Sequence, residues 1–241
     1  MRIHIVNPNS STGMTEQIAK VARRYASAGT TLDVTCGTGA PASIEGYTDE
    51  AISVPIMLDQ IRAAETRGAD AHVIACFDDP GLAAAREIAQ GPVIGLCEAS
   101  TRVAMMLSSR FSIVTTLARS VPIIEDLADA YGAGRRCRRV RAIDMPVLAV
   151  EEEPERCAEL LAAEIRRARK EDNAEAVVLG CAGMADLCIR LTKETGVLVI
   201  DGVTAAVRLS EALVGMRYAT SKLGAYAAPR SKAGGFPREV A

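Results

Sequence analysis

Two hydrophobic periodicities alternate along the chain, dividing it into short apolar runs and longer stretches of helical spacing. The runs are rich in β-branched residues and predict strands at 2–6, 32–36, 71–75, 93–96, 111–115, 140–144, 176–179 and 197–200. Helices are predicted at 14–28, 50–67, 81–89, 100–108, 121–131, 154–171, 184–195 and 203–216, with Gly29, Gly68, Gly91, Gly132 and Gly196 as breakers between elements. Alternation of this kind builds parallel sheets covered by helices on both faces.

The pattern also repeats. A shift of 105 positions lays Asp70-Ala71-His72-Val73-Ile74-Ala75-Cys76 on Glu175-Ala176-Val177-Val178-Leu179-Gly180-Cys181, and without a gap Gly91 falls on Gly196. More loosely, Arg2-Ile3-His4-Ile5-Val6-Asn7 resembles Arg110-Phe111-Ser112-Ile113-Val114-Thr115. The expected fold is therefore α/β: two pseudo-symmetric Rossmann-like lobes, each a short, mainly parallel sheet flanked by helices, with the active site in the cleft between them. The first lobe is assigned 1–97 plus 207–241, carrying the C-terminal helix and tail, and the second 98–206. The tail from Pro229, rich in Gly, Pro and charge, is expected to be poorly ordered.

In open parallel sheets ligands sit beyond the carboxyl ends of the strands. Cys76 and Cys181 each stand just past such an end, so facing lobes would aim both thiols into one cleft. A lone cysteine there is more often a small buried hydrophobe. Recurrence at the equivalent place in both halves is what raises the pair to candidate catalysts. Two like groups on opposite sides of one carbon can invert a stereocentre beside a carbonyl, one removing a proton and the other supplying one. Free cysteine titrates near ~8.5, and a helix N-terminus after each thiol is expected to lower that value. Backbone N–H groups after each cysteine are expected to meet the charge of the carbanion. Asn7, Ser43, Thr115 and Thr116, near strand ends, could add side-chain donors. Glu45, Asp78 and Asp79 could be acids or anchors, or turn residues and helix caps.

Composition narrows the remaining choices. A net charge of −2 over 241 residues argues against a general nucleic-acid binder, and the arginines around Cys137 read as a solvated loop. No apolar run is long enough to span a bilayer, and the first residues lack the order of an export signal, so a cytoplasmic location is expected. The seven cysteines have no CxxC spacing and fit reduced thiols. The two histidines, His4 and His72, lie inside predicted strands, so no metal is expected and the usual general base is missing. Lys20, Lys170, Lys193, Lys222 and Lys232 fall away from strand ends, which disfavours a pyridoxal enzyme. Gly37-Thr38-Gly39 has only superficial dinucleotide spacing, since it follows the second strand and Pro41 interrupts it.

Four segments, Asn7-Pro8-Asn9-Ser10-Ser11, Pro41 to Tyr47, Cys76-Phe77-Asp78-Asp79-Pro80-Gly81 and Gly180-Cys181-Ala182-Gly183-Met184, resemble those of hydantoin racemases, whose relatives include allantoin racemases, within the aspartate/glutamate racemase superfamily. The resemblance runs from Arg2 to about Ala228. It implies no cofactor, a two-thiol mechanism, a cyclic diamide substrate and a homo-oligomer, tetrameric or hexameric. By motif, Cys76 and Cys181 are the acid/base pair, and Asn7, Ser43, Ile44, Phe77 and Gly183 belong to the pocket. Asp78, Gly180 and Ala182, beside the thiols, are taken with them. Amino-acid racemases of the superfamily tend to have Cys-Asn-Thr and Cys-Thr-His at the thiols. Here Phe77-Asp78 and Ala182-Gly183 follow instead, which favours a neutral ring over a free amino acid.

The leading expectation is racemisation of 5-monosubstituted hydantoins, with allantoin as the nearest rival. A superfamily decarboxylase or cis-trans isomerase is a further alternative, although decarboxylation can run on one thiol and leaves the second unexplained. A two-lobed ligand-binding protein would leave both unexplained.

Overall fold

The computed structural model describes residues 1–230, so the expectation for the tail falls, from 231 on, outside the described residues. The first half contains β1 (Arg2–Asn7), α1 (Thr12–Tyr25), β2 (Thr31–Cys36), α2 (Tyr47–Thr66), β3 (Ala71–Ile74), α3 (Leu82–Ile88), β4 (Val93–Gly95) and α4 (Leu96–Leu107). The second contains β5 (Phe111–Thr115), α5 (Val121–Ala130), β6 (Cys137–Ala142), α6 (Ala149–Glu152), α7 (Pro154–Glu171), β7 (Ala176–Leu179), α8 (Cys188–Thr195), β8 (Leu198–Asp201) and α9 (Gly202–Gly215).

Two four-stranded sheets result, with orders β2-β1-β3-β4 and β6-β5-β7-β8, and their strand pairings are parallel. The second sheet thus repeats the order of the first. Val6 stands opposite Ile74 in one and Val114 opposite Leu179 in the other, so the repeat read from the chain is also a repeat in space.

Buried strands with apolar residues on both faces need two helical layers. Between the sheets, Met14, Ile18, Val21 and Ala22 of α1 form one apolar stripe, which joins residues of α4 and α9 in a core that also takes Ile3 and Val73 from the first sheet and Ile113 and Val178 from the second. On the outer faces, Met57, Ile61 and Leu82 of α2 and α3 cover Val6 and Ile74, while Leu161, Ile165 and Leu191 of α7 and α8 cover Val177 and Leu179. No helix among the described residues is long and apolar enough to cross a membrane.

Some elements depart from the sequence expectation. The strand expected at 93–96 stops at Gly95, and α4 starts at Leu96 rather than near Ser100, because the Asp79 carboxylate accepts from the Cys97 and Glu98 amides at 3.1 and 2.9 Å and caps the helix from another loop. The helix expected over 184–195 divides into a 3-10 stretch, Ala182–Leu187, followed by α8. The basic run around Cys137 is not a solvated loop throughout. It enters β6, where buried Arg141 grips Asp172 through two nitrogens at 2.7 Å each and reaches Glu171 and Glu164.

Candidate active site

Each half positions its cysteine in the same way. β3 and β7 end at Ile74 and Leu179, one residue follows, and Cys76 and Cys181 come next. The intervening residue prolongs the pairing: the Ala75 amide donates to Val6 and the Gly180 amide to Val114, both at 2.8 Å. Gly180 is obligatory in this packing, because a Cβ there would stand 2.9 Å from Thr115 Cβ. The Thr115 hydroxyl donates to the Gly180 carbonyl at 3.0 Å, fixing the backbone immediately before Cys181.

The two cysteines line one cavity, whose empty space together with its open mouth is about 410 Å³. Ile44, Phe77, Asp78, Thr115, Thr116, Gly180 and Ala182, all expected at the site, share its wall. Asn9, which stands in one of the family-like segments without being singled out, and Met14, Ser120 and Val147, which no motif marks, line it too. Its mouth is braced across the halves by Glu45, whose Oε1 accepts from the Val147 amide at 3.1 Å and from the Ser43 hydroxyl at 3.3 Å. Ser43 itself does not line the cavity, and neither does Asn7. The fully buried Asn7 amide donates to Asn9 Oδ1, Thr15 Oγ1 and the Ser11 carbonyl at 2.7, 3.0 and 3.3 Å, so it holds the loop that presents Asn9.

Both sulfurs accept a hydrogen bond from the amide two residues onward, Cys76 from Asp78 and Cys181 from Gly183. These bonds favour the thiolate, but burial outweighs them. It pushes Cys181 up to about 12 and holds Cys76 well above the ordinary thiol value, Asp78 and Cys181 adding to the effect on Cys76. The lowering expected from a helix N-terminus does not materialise. α3 begins only at Leu82, and a 3-10 turn, not an α-helix, follows Cys181. Asp78 is raised to about 7 by burial and by facing Glu50. Among the described residues, no three His, Cys, Asp or Glu side chains are grouped as a metal site would require.

The family model for Asp/Glu/Hydantoin racemase matches residues 3–210. Among curated proteins, the chain is 61% identical over 233 residues to a hydantoin racemase of Rhizobium meliloti, covering 97% of each chain. It is 46% identical over 232 residues to a hydantoin racemase of Pseudomonas sp. (strain NS671), covering 96% of this chain and 93% of that one. Among solved structures, an allantoin racemase from Klebsiella pneumoniae superposes with a TM-score of 0.94 at 50% identity, over 97% of this chain and 95% of that one. Family match, overall likeness and duplicated architecture agree: the chain belongs to the Asp/Glu/hydantoin racemase family and is an isomerase of the racemase type.

Proposed function

We propose that the protein racemises 5-monosubstituted hydantoins by passing protons through Cys76 and Cys181 on opposite faces of C5. One observation carries the reading: the thiols follow equivalent strands of the two repeated sheets and line the same cavity. The 61% identity to a hydantoin racemase supports the substrate class.

In this reading the thiolate of one cysteine removes the C5 proton, and the C–H electron pair passes onto the C4 carbonyl oxygen as an enolate. The other thiol then delivers its proton to the opposite face as the pair returns to carbon. The amides of Asp78 and Gly183 stabilise whichever sulfur is ionised. Thr116, Ser120 and Asn9 offer polar partners to the ring, while Ile44, Phe77 and Val147 offer an apolar wall to its C5 substituent. The chemistry is acid/base throughout and calls for no cofactor. The reading includes a cytoplasmic homo-oligomer, a tetramer or hexamer.

Allantoin is the second reading, supported by the 50% identity to an allantoin racemase and by the polar part of the lining, which could hold a ureido group. Loss of optical rotation, followed for a 5-alkylhydantoin beside allantoin, separates the two. Cys76→Ser and Cys181→Ser should each lower racemisation by roughly 10²–10⁴-fold, the range for removing a positioned acid or base. Near wild-type turnover in both variants would end the two-thiol proposal.

A further inference from the structure

Two-thiol racemisation leaves a question of proton supply. Burial keeps both thiols protonated in the free enzyme, yet each turnover needs one thiolate and ends with the ionised sulfur on the other side.

Asp78 is placed to answer it. It is the one charged side chain among the residues lining the cavity, and its own amide donates to Cys76 Sγ. Its carboxylate accepts no hydrogen bond from any described residue, in contrast to its neighbour Asp79, which is occupied by Tyr131, Cys97 and Glu98. Asp78 lines the same cavity as Cys76 and Cys181, and its charge bears on both thiols.

Resting on the racemase reading above, we infer that Asp78 is the proton store of the thiol pair. Before attack, the Sγ–H proton of the acting cysteine passes to an Asp78 carboxylate oxygen, converting thiol and carboxylate into thiolate and carboxylic acid. The thiolate takes the C5 proton and the opposite thiol protonates the other face. The sulfur left ionised then recovers the proton held by Asp78. Substrate is inverted, and both thiols and the carboxylate are restored whichever enantiomer entered.

The exchange is uphill, because the thiols are weaker acids than Asp78, but it keeps the charge of the cavity constant. No lining side chain is cationic, so the cavity accommodates one negative charge far better than two, and forming a thiolate is easiest when the carboxylate is neutralised in the same step. Glu50 faces Asp78 from α2, Asp79 adds its charge at Cys76, and Glu151 adds its charge at Cys181. Glu50 makes a proton on Asp78 easier to hold, while Asp79 and Glu151 oppose ionisation of the thiols. Burial and Glu50 raise Asp78 to about 7, where it can accept and release a proton near neutrality.

The test is the pH profile of kcat/KM for hydantoin racemisation in wild type, Asp78→Asn and Asp78→Glu, with folding checked by circular dichroism. Wild type should rise through one ionisation near 7 and level off. Asp78→Asn should lose roughly 10²-fold or more at pH 8, and its rate should keep climbing into the alkaline range where a thiol ionises unaided. Asp78→Glu should regain the plateau. A folded Asp78→Asn that keeps the wild-type profile, at any rate, overturns the assignment while the two-thiol reading stands, provided Cys76→Ser and Cys181→Ser are inactive. A wild type inert on both ring substrates would overturn both together.

Discussion

Tyr131 donates its phenolic hydroxyl to Asp79 at 2.7 Å, joining the end of α5 in the second half to the turn that carries Cys76 in the first. Asp79 is the meeting point of three elements, because the same carboxylate caps α4 through Cys97 and Glu98. Its backbone has φ 45°, a conformation unfavourable for a residue with a Cβ, so the contacts hold the turn in place. Gly95 makes the approach possible: a Cβ there would stand 2.2 Å from Asp79 Cγ.

Asp79→Ala should therefore cost about 3 kcal/mol, combining a lost cap with a stranded Tyr131 hydroxyl. Tyr131→Phe, which removes one hydrogen bond and leaves the cap, should cost only about 1 kcal/mol. Urea unfolding of the three proteins measures both. Equal midpoints for Asp79→Ala and wild type would show that Asp79 does not fasten these elements.

A different readout isolates the two faces of the site. With Cys76→Ser, Cys181 can still remove and return a proton on its own face, and the converse holds for Cys181→Ser. In heavy water each variant should exchange the C5 proton of one enantiomer without inverting it, and the two variants should prefer opposite enantiomers. Proton NMR of optically pure D- and L-hydantoins follows both exchange and handedness. Exchange of the same enantiomer by both variants would place the thiols on one face.

The chain made the sheets legible because buried parallel strands must be apolar on both faces, as in Ala176–Leu179, and because the repeat carries Cys76 onto Cys181. What it hid depends on contacts distant in sequence. Asp79 moves the start of α4 by reaching across 18 residues to Cys97, a cap that no local pattern announces. Met14 follows the helical period of the α1 core stripe and reads as packing alone, yet it also lines the cavity. Asn7, a donor by position, spends its amide on Asn9, Ser11 and Thr15. The thiol environment is hidden for a related reason, since helix proximity is local and desolvation is a property of the assembled cleft.

Burial also decides the acid stability of β1. His4 and His72 stand in register on β1 and β3, both fully buried, with their Nδ1 atoms 3.1 Å apart. The Gln60 amide nitrogen donates to the Cys36 carbonyl, which leaves Gln60 Oε1 to accept from the Thr35 hydroxyl at 2.5 Å. Thr35 can then only accept at His4, so His4 donates from Nε2, 2.9 Å away, and turns its Nδ1 to the His72 ring. Burial, with His72 close by, disfavours a second proton on His4 and lowers its pKa from 6.5 to about 3. The unfolded chain binds that proton below pH 6.5 and the folded chain does not, so this contribution is complete above 6.5 and is lost as pH falls toward 3. At about 1.4 kcal/mol per pH unit, the loss reaches about 3 kcal/mol by roughly pH 4.5. His4→Gln has no such proton to bind. Between pH 7 and about 4.5, urea unfolding should show wild type losing about 3 kcal/mol more than His4→Gln, each relative to its own neutral value. Parallel losses in the two proteins would mean that His4 takes up its proton in the folded state as readily as in the unfolded chain.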